Sequence, residues 1–341
     1  MALSDPASAP AVARRMSAIV GLGGGIGASR LWRPLVQAVE PSRLTLVDNT
    51  ADDLWIHGLR VCPDLDTTLY ALAGLQDEAR GWGRRDESFR CMAVLRALGH
   101  DAWFQLGDTD LATHLLRTGL LRLGTGLAEI TRRLADAWSV PVRVLPMTED
   151  EVATRVETTS RRQLHYQEFL VRHRATPPVR RVWHEGLEHA APAPGVLEAI
   201  ADADMIVLGP SNPVASMLPI LGLPGLSDAL RDARHRTVAV SPIVSGIPIH
   251  DQHERVRAAS RAALLSATGV PASACGVAGL YADLCARYVL DVSDAAEAHE
   301  VRKLDLEPVV VRTLPHCGAP ASALVDAVLG TRSSASARRA P

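Results

Sequence analysis

Within Asn49–Thr67, NTADDLWIHGLRVCPDLDT, four aspartates stand in two pairs, Asp52 with Asp53 and Asp64 with Asp66, separated by a short apolar passage. If that passage folds back, the pairs meet. Clustered carboxylates repel one another unless a proton or cation sits between them, so a hard divalent metal with oxygen ligands is the natural occupant. Asp also favours turns and helix N-caps, which gives the same residues a purely structural reading, with Asp66 capping a helix from Thr67 to Leu75.

A second chemical element lies upstream. The apolar run Ser17–Leu22 leads into Gly23-Gly24-Gly25-Ile26-Gly27-Ala28-Ser29-Arg30 and then a helix-like stretch through Val39. A strand, a Gly-rich turn and a helix in this order let backbone N–H groups and the helix dipole meet a phosphate. Gly23, Gly25 and Ala28 satisfy the GxGxxA spacing, and the next strand, Leu44–Val47, ends in Asp48 about twenty residues on, as dinucleotide folds require. The plain alternative is a tight connection that holds no ligand. Two further stretches carry reactive types. The loop Arg80-Gly81-Trp82-Gly83-Arg84-Arg85 sets cations and a ring on a flexible backbone, where solvated arginines are the ordinary case. In Trp103–His114, a strand-like piece precedes a helix capped by Asp108 or Thr109, with His114 on the face of Asp110 four residues earlier.

Bulk properties limit the chemistry. The 341 residues carry a formal charge of −2, so no global basic field advertises nucleic acid or an anionic membrane. Lys303 is the only lysine, which disfavours a P-loop or Schiff-base lysine and leaves phosphates to arginine, backbone N–H groups or metal. Cys62, Cys91, Cys275, Cys285 and Cys317 form no CxxC and no even framework, as in a reducing compartment. No apolar run reaches a bilayer span and no continuous segment of signal-peptide type opens the chain, so a cytoplasmic protein is expected.

Around these residues the chain alternates strands and helices. Helices are expected at 67–75, 86–98 and 126–138, the last with Leu127, Ile130 and Leu134 inward and Arg132-Arg133 outward. A strand at Val142–Pro146 follows, then two strands at Val152–Glu157 and Leu164–Val171 in an insertion spanning 147–190, with a Pro/Ala linker to Gly195. The alternation resumes with helix 196–203, strand Met205–Leu208, the turn Gly209–Pro213 and strand Thr237–Val240, and later apolar segments lie at 288–292 and 309–311. The pattern predicts an α/β protein with a doubly wound, mostly parallel, Rossmann-like sheet and a smaller inserted subdomain, within a domain spanning 16–330. The loops at 23–30, 49–67 and 209–216 fall on its C-terminal edge, where such sheets bind ligands. Residues 1–15 and 331–341 read as a disordered leader and tail, with Met16 as an alternative start.

Taken in order, GGGIGASR, NTADDLWIHGLRVCPDLDT, RGWGRRDE, WFQLGDTDLATH, RVLPMTEDEVATRVET with LHYQEF, GPSNPVAS and AVSPIVSG resemble the phospholactate transferase family of coenzyme F-420 biosynthesis. The resemblance runs from residue 18 to residue 246 and more weakly to 329. It implies a magnesium-dependent transferase that moves a phospho-acid from its guanylyl-diphosphate adduct to the ribityl hydroxyl of the deazaflavin Fo and releases GMP. By this analogy Asp66, Trp55 and Gln105 stand at the Fo end, with Asp66 and Asp64 catalytic and Asp52, Asp53 and Asp64 towards the metal. Gly23, Gly24, Gly25, Gly27, Arg30, Ser211, Asn212 and Ser216 are the candidates for the nucleotide and its phosphates, and Arg84 or Arg85 for a clamp on the donor. The family's habit implies a homodimer. Thr109 stands where many members carry Arg, and Ile249-His250-Asp251-Gln252-His253-Glu254-Arg255 replaces a small-residue continuation. The acid therefore stays open among phospholactate, phosphoenolpyruvate and phosphoglycerate.

Two rivals share parts of this pattern. A nicotinamide oxidoreductase accounts for GxGxxA and Asp48 but not for the aspartate pairs. Non-catalytic nucleotide-sugar-binding regulators share the Gly-rich turn and a DD segment, yet follow it with small residues rather than Leu54-Trp55-Ile56-His57.

Overall fold

The computed structural model describes residues 18–314 and 321–331; the expected leader with Met16, Cys317 and the tail beyond Thr331 lie outside them. In chain order the strands are β1 (Ile19–Gly23), β2 (Leu44–Asp48), β3 (Leu54–Ile56), β4 (Leu59–Val61), β5 (Arg143–Pro146), β6 (Ala153–Thr158), β7 (Gln163–His165), β8 (Val179–Glu185), β9 (Met205–Leu208), β10 (Thr237–Val240), β11 (Arg287–Leu290) and β12 (Glu307–Val310). The first five helices are α1 (Gly25–Ala38), α2 (Pro63–Leu72), α3 (Arg90–Ala97), α4 (Asp110–Arg122) and α5 (Leu127–Ala137).

Seven strands form one parallel sheet in the order β12-β11-β10-β9-β1-β2-β5. Successive strand residues alternate between its two faces, as a pleat with period two requires. Val20, Leu22, Ile206, Leu208, Tyr288 and Leu290 pack on one face, while Ile19, Leu44, Leu46, Val207, Val238 and Val289 pack on the other. Helices cover both. The second face takes Leu31, Trp32 and Leu35 of α1 together with Leu127, Ile130 and Leu134 of α5, whose Arg132 and Arg133 point outward onto Glu129. Strand order reverses at β1, whose neighbours are β2 and β9, so the loops after these three strands meet at the crossover. Gly23 pairs with Asp48 across the β1–β2 ladder, and the Gly209 N–H donates to the Leu22 carbonyl on the other side.

The inserted subdomain is a separate three-stranded antiparallel sheet, β7-β6-β8. Only Gln163–His165 of the expected strand Leu164–Val171 is extended; the chain then coils into helical turns through Arg172. Strand β8 was not foreseen because its Val-Arg-Arg-Val-Trp-His-Glu sequence carries charge on the outward side.

Other departures arise from capping. Helix α2 begins at Pro63, with Cys62 at the cap position, so Pro-Asp-Leu-Asp is the first helical turn and Asp66 is not a cap. Proline suits the first position because its missing N–H is unneeded there, and the two aspartates suit the positive end of the dipole. Asp108 does not cap α4. Its carboxylate accepts from the Arg90 and Cys91 N–H groups at 3.1 and 3.0 Å, so it starts α3, which opens at Arg90 rather than Asp86. Glu87 reciprocates, accepting from the Thr109 and Asp110 N–H groups at 2.9 and 2.8 Å. Trp103–Leu106, expected as strand-like, pairs with no strand and is irregular. No single helix among the described residues is long and apolar enough to cross a membrane.

Candidate active site

The apolar passage between the aspartate pairs does fold back. Strands β3 and β4 form a hairpin closed by His57 and Gly58, both at positive φ (51° and 76°), the geometry of a two-residue turn that matches strand twist. The hairpin returns the chain so that α2 starts beside the first pair.

Asp64 lies at the centre. Its Oδ2 accepts from Asn49 Nδ2 at 3.0 Å and from Ser216 Oγ at 3.3 Å, tying together the loops after β2 and β9. A Cβ on Gly24 would stand 2.5 Å from this same oxygen, so the Gly-rich turn can approach the carboxylate only without a side chain. Gly24→Ala is therefore expected to displace Asp64 and cost about 1–3 kcal/mol; urea denaturation of the variant measures it, and an unchanged midpoint would contradict the contact. Burial raises the Asp64 pKa to about 6 against the opposing hydrogen bonds from Asn49 and Ser216. Burial, and next the charge of Asp64, raise Asp52 well above the usual carboxylate range. Gln167 Nε2 donates to one Asp52 oxygen at 3.3 Å, whereas the other has no partner. Asp48 beneath them is fully buried with both carboxylate oxygens unpartnered. None of Asp48, Asp52 and Asp64 forms an ion pair with a described residue. This wall is short of positive charge.

The other two aspartates are compensated. Asp53 pairs with Arg60 Nη2 at 3.3 Å and faces a separate recess shared with Trp55, Glu151 and His165. Asp66 is gripped by both arms of Arg117, Nη1 at 3.1 Å and Nη2 in a second, short contact. His114 stands between Asp66, 3.7 Å from Nδ1, and Asp110, 3.3 Å from Nε2, while the Tyr70 hydroxyl donates to Asp110 at 2.6 Å. Arg117 lies three residues after His114 on the same face of α4, yet alone it reads as a solvated helix arginine; its fork on Asp66 comes only from the fold.

Asp52, Asp64, Asp66, Gln105, His114, Gly24, Gly25, Gly27, Ser211, Asn212 and Ser216 line one cavity of about 450 Å³ at the crossover. The α1 cap residue, Gly24, offers no side chain to the N–H groups of the first turn, and Gly24, Gly25, Ile26 and Gly27 of that turn line this space. Ser211 Oγ accepts from the Gly24 N–H and donates to the Gly24 carbonyl, fixing the turn against the loop after β9, to which Gly23 at the end of β1 also packs closely. Asn212 Oδ1 caps the turn Pro213–Met217 by accepting from the Val214 and Ala215 N–H groups, and its Nδ2 donates to the Tyr166 hydroxyl. The inserted subdomain thus contributes the buried Tyr166 and Gln167 to the cavity lining.

Six predicted site residues stand outside this cavity: Gly23 and Asp53, together with Trp55, Arg84, Arg85 and Arg30. Trp55, half-exposed, donates through Nε1 to Glu151 at 2.8 Å beside the separate recess. Arg84 lies over the rings of Tyr70 and Trp138, 5.4 Å from each, and Arg85 is solvent-facing beside Asp86. Arg30 is ion-paired to Glu254. In their place the helix Gln252–Ala267 brings His253, Arg257 and Arg261 to the lining; only His253 lies in the run that departs from the family pattern, and the two arginines carried no signal.

A family model described as 2-phospho-L-lactate transferase CofD matches residues 19–309 of the chain. The chain belongs to the CofD family. Within this transferase family it is 43% identical over 289 residues to the phosphoenolpyruvate transferase of Streptomyces coelicolor, covering 83% of this chain and 88% of that protein. The phosphoenolpyruvate transferase of Thermobifida fusca is 42% identical over 324 residues, 91% of this chain and 98% of the relative. The phosphoenolpyruvate transferase of Mycobacterium tuberculosis is 42% identical over 279 residues, 80% and 81% of the two chains. The chain shares its α/β fold with a protein member of the UPF0052 family from Bacillus halodurans, with a TM-score of 0.57 at 19% identity over 92% of this chain and 99% of that one.

Proposed function

We propose that the cavity transfers a phospho-acid from its guanylyl-diphosphate adduct to the ribityl hydroxyl of the deazaflavin Fo, a step of coenzyme F-420 biosynthesis. The observation that carries this reading is Asp64, which joins the uncapped α1 turn, the loop after β9 and the charge-starved aspartate wall in one cavity. Phosphoryl transfer is mostly positioning and charge neutralisation, and these are the parts it needs.

In the proposed step the acceptor hydroxyl oxygen forms a bond to the phosphorus bearing the acid. The anhydride bond to the nucleotide breaks, and GMP leaves with its electron pair. The hydroxyl proton goes to Asp66, whose carboxylate both arms of Arg117 hold in place. A loose transition state asks little of this proton acceptor, because the charge lies mainly on the transferring phosphoryl group. Asp52 and Asp64 suit Mg²⁺, since both face the cavity, neither has an arginine partner and one Asp52 oxygen is unsatisfied. No three acidic, His or Cys side chains converge as a complete metal site among the described residues, so a Mg²⁺ held by Asp52 and Asp64 would need further oxygen ligands from substrate or solvent. Bound there, Mg²⁺ supplies neutralisation of the diphosphate. Asp53, committed to Arg60, acts behind this pair rather than in it.

The names of the relatives favour phosphoenolpyruvate as the acid. Incubating the protein with Fo, Mg²⁺ and each of the three guanylylated acids, and weighing the products, tests this: the enolpyruvyl adduct is expected to turn over fastest. Absence of product from all three would sink the transferase reading in favour of a binding protein. Light scattering tests the homodimer implied by the family.

A further inference from the structure

The cavity wall formed by the helix Gln252–Ala267 is cationic. His253, Arg257 and Arg261, each four residues apart, line the cavity from one face of the helix. Glu254 is shared: its Oε1 serves both Arg257 Nη2, at 2.9 Å, and Arg30 of α1. Arg261 has no such partner. It makes no hydrogen bond and no ion pair with any described residue, and the Nε groups of both Arg257 and Arg261 are buried without an acceptor. A guanidinium with unsatisfied donors facing a cavity is costly in the empty protein and calls for an anion.

Its neighbours say which anion. Ser260, adjacent to Arg261, bonds the Tyr166 hydroxyl at 3.1 Å, and that hydroxyl accepts from Asn212 Nδ2 at 3.1 Å. Asn212 follows Ser211, which is locked to Gly24 at the uncapped start of α1. Arg261 and the turn best built for phosphate thus line the same cavity, with the helix of Arg261 tied to that turn through this relay. The only lysine, Lys303, pairs with Glu300 at 2.8 Å and takes no part in the cavity lining.

We infer that Arg261, supported by Arg257, is the anion clamp that closes a nucleoside diphosphate group against the N-terminal turn of α1, in the role that sequence alone gave to Arg84 and Arg85. The clamp rests on the reading of this cavity as the donor site. A planar guanidinium can bond two phosphate oxygens at once, which an ammonium cannot.

Calorimetric titration of GDP in the presence of Mg²⁺ into the wild type and the Arg261→Met, Arg261→Lys and Arg257→Met variants tests it, with Fo affinity and melting temperature measured alongside. Arg261→Met is expected to weaken GDP about 10–100-fold, Arg257→Met less, and Arg261→Lys to recover only part. Fo affinity stays within about twofold and the melting temperature does not fall, as expected when a half-buried guanidinium with an unsatisfied donor is removed. Undiminished GDP binding by Arg261→Met overturns the clamp and leaves the transferase reading standing. Parallel loss of GDP and Fo affinity with a lowered melting temperature makes Arg261 a structural residue and also overturns it. Failure of the wild type to bind GDP overturns the donor-site reading and the clamp together.

Discussion

Asp64→Asn lowers transfer by about 10²–10³-fold, on the scale of removing one electrostatic contact from a transition state, and at the same time makes the protein more stable. The amide keeps an oxygen for Asn49 and Ser216, so the loops remain joined while the charge disappears. The sign follows from linkage. Asp64 titrates at about 6 in the folded chain against an ordinary value of 3.8. The folded state thus holds this proton more tightly, and its contribution to stability is present below pH 3.8 and lost as pH rises through 6. At pH 7.5 the ionised group costs roughly 3 kcal/mol as an upper bound, at about 1.4 kcal/mol per unit. Without added metal, the Asn variant is expected to melt several degrees above the wild type at pH 7.5 and level with it near pH 4. Calorimetric scans across that range check this; a variant less stable at pH 7.5 would show that Asp64 is held by the fold rather than against it.

Arg117→Met is expected to destabilise by about 3–5 kcal/mol, because it leaves the Asp66 carboxylate buried beside His114 and Asp110 without its fork. Pairing it with Asp66→Asn is expected to recover a large part of that loss, since a buried pair replaced whole costs far less than one broken in half. Urea denaturation of the two single variants and the double gives the coupling directly. Coupling below about 0.5 kcal/mol would mean that the two side chains act independently. Both single variants also lose transfer, Asp66→Asn by removing the acceptor of the proton and Arg117→Met by freeing the carboxylate from its aim. The double variant folds but stays inactive.

These two predictions draw on parts of the molecule that were unequally legible beforehand. The strands Met205–Leu208 and Thr237–Val240, the Gly-rich turn and Asp48 at the end of β2 were all readable, because apolar runs bounded by Gly and Pro are local signals. The convergence of loops at the crossover followed from the alternation of elements, and the return of Asp64 towards Asp52 from the two pairs flanking one apolar hairpin. What failed was long-range. Asp108 starts a helix some eighteen residues earlier in the chain, and Glu87 starts the one after it, a reciprocal exchange that no window on the sequence reveals. Proline at the first position of α2 moved that helix back by a turn, carrying Asp64 and Asp66 out of a turn and into a helix. Arg117, Arg257 and Arg261 look like solvated helix arginines in sequence, and only the packing of their helices turns them to the cavity or to its carboxylates. Arg84 and Arg85, with an attractive Arg-Trp-Gly setting, lie outside the cavity lining.

The nicotinamide rival loses its footing for the same structural reason. Asp48, which a dinucleotide fold would present to a ribose, is fully buried beneath the aspartate wall. The regulator reading is separated from the transferase by chemistry alone.

Single-turnover mixing of the protein with Fo and guanylylated enolpyruvyl phosphate, quenched and resolved by mass, tests whether Asp64 and Mg²⁺ carry the transfer. With Mg²⁺, one GMP is expected for each phospho-acid adduct of Fo, and neither product with EDTA or with Asp64→Asn on the same timescale. Adduct formed at the wild-type rate in EDTA or in the Asn variant would contradict it.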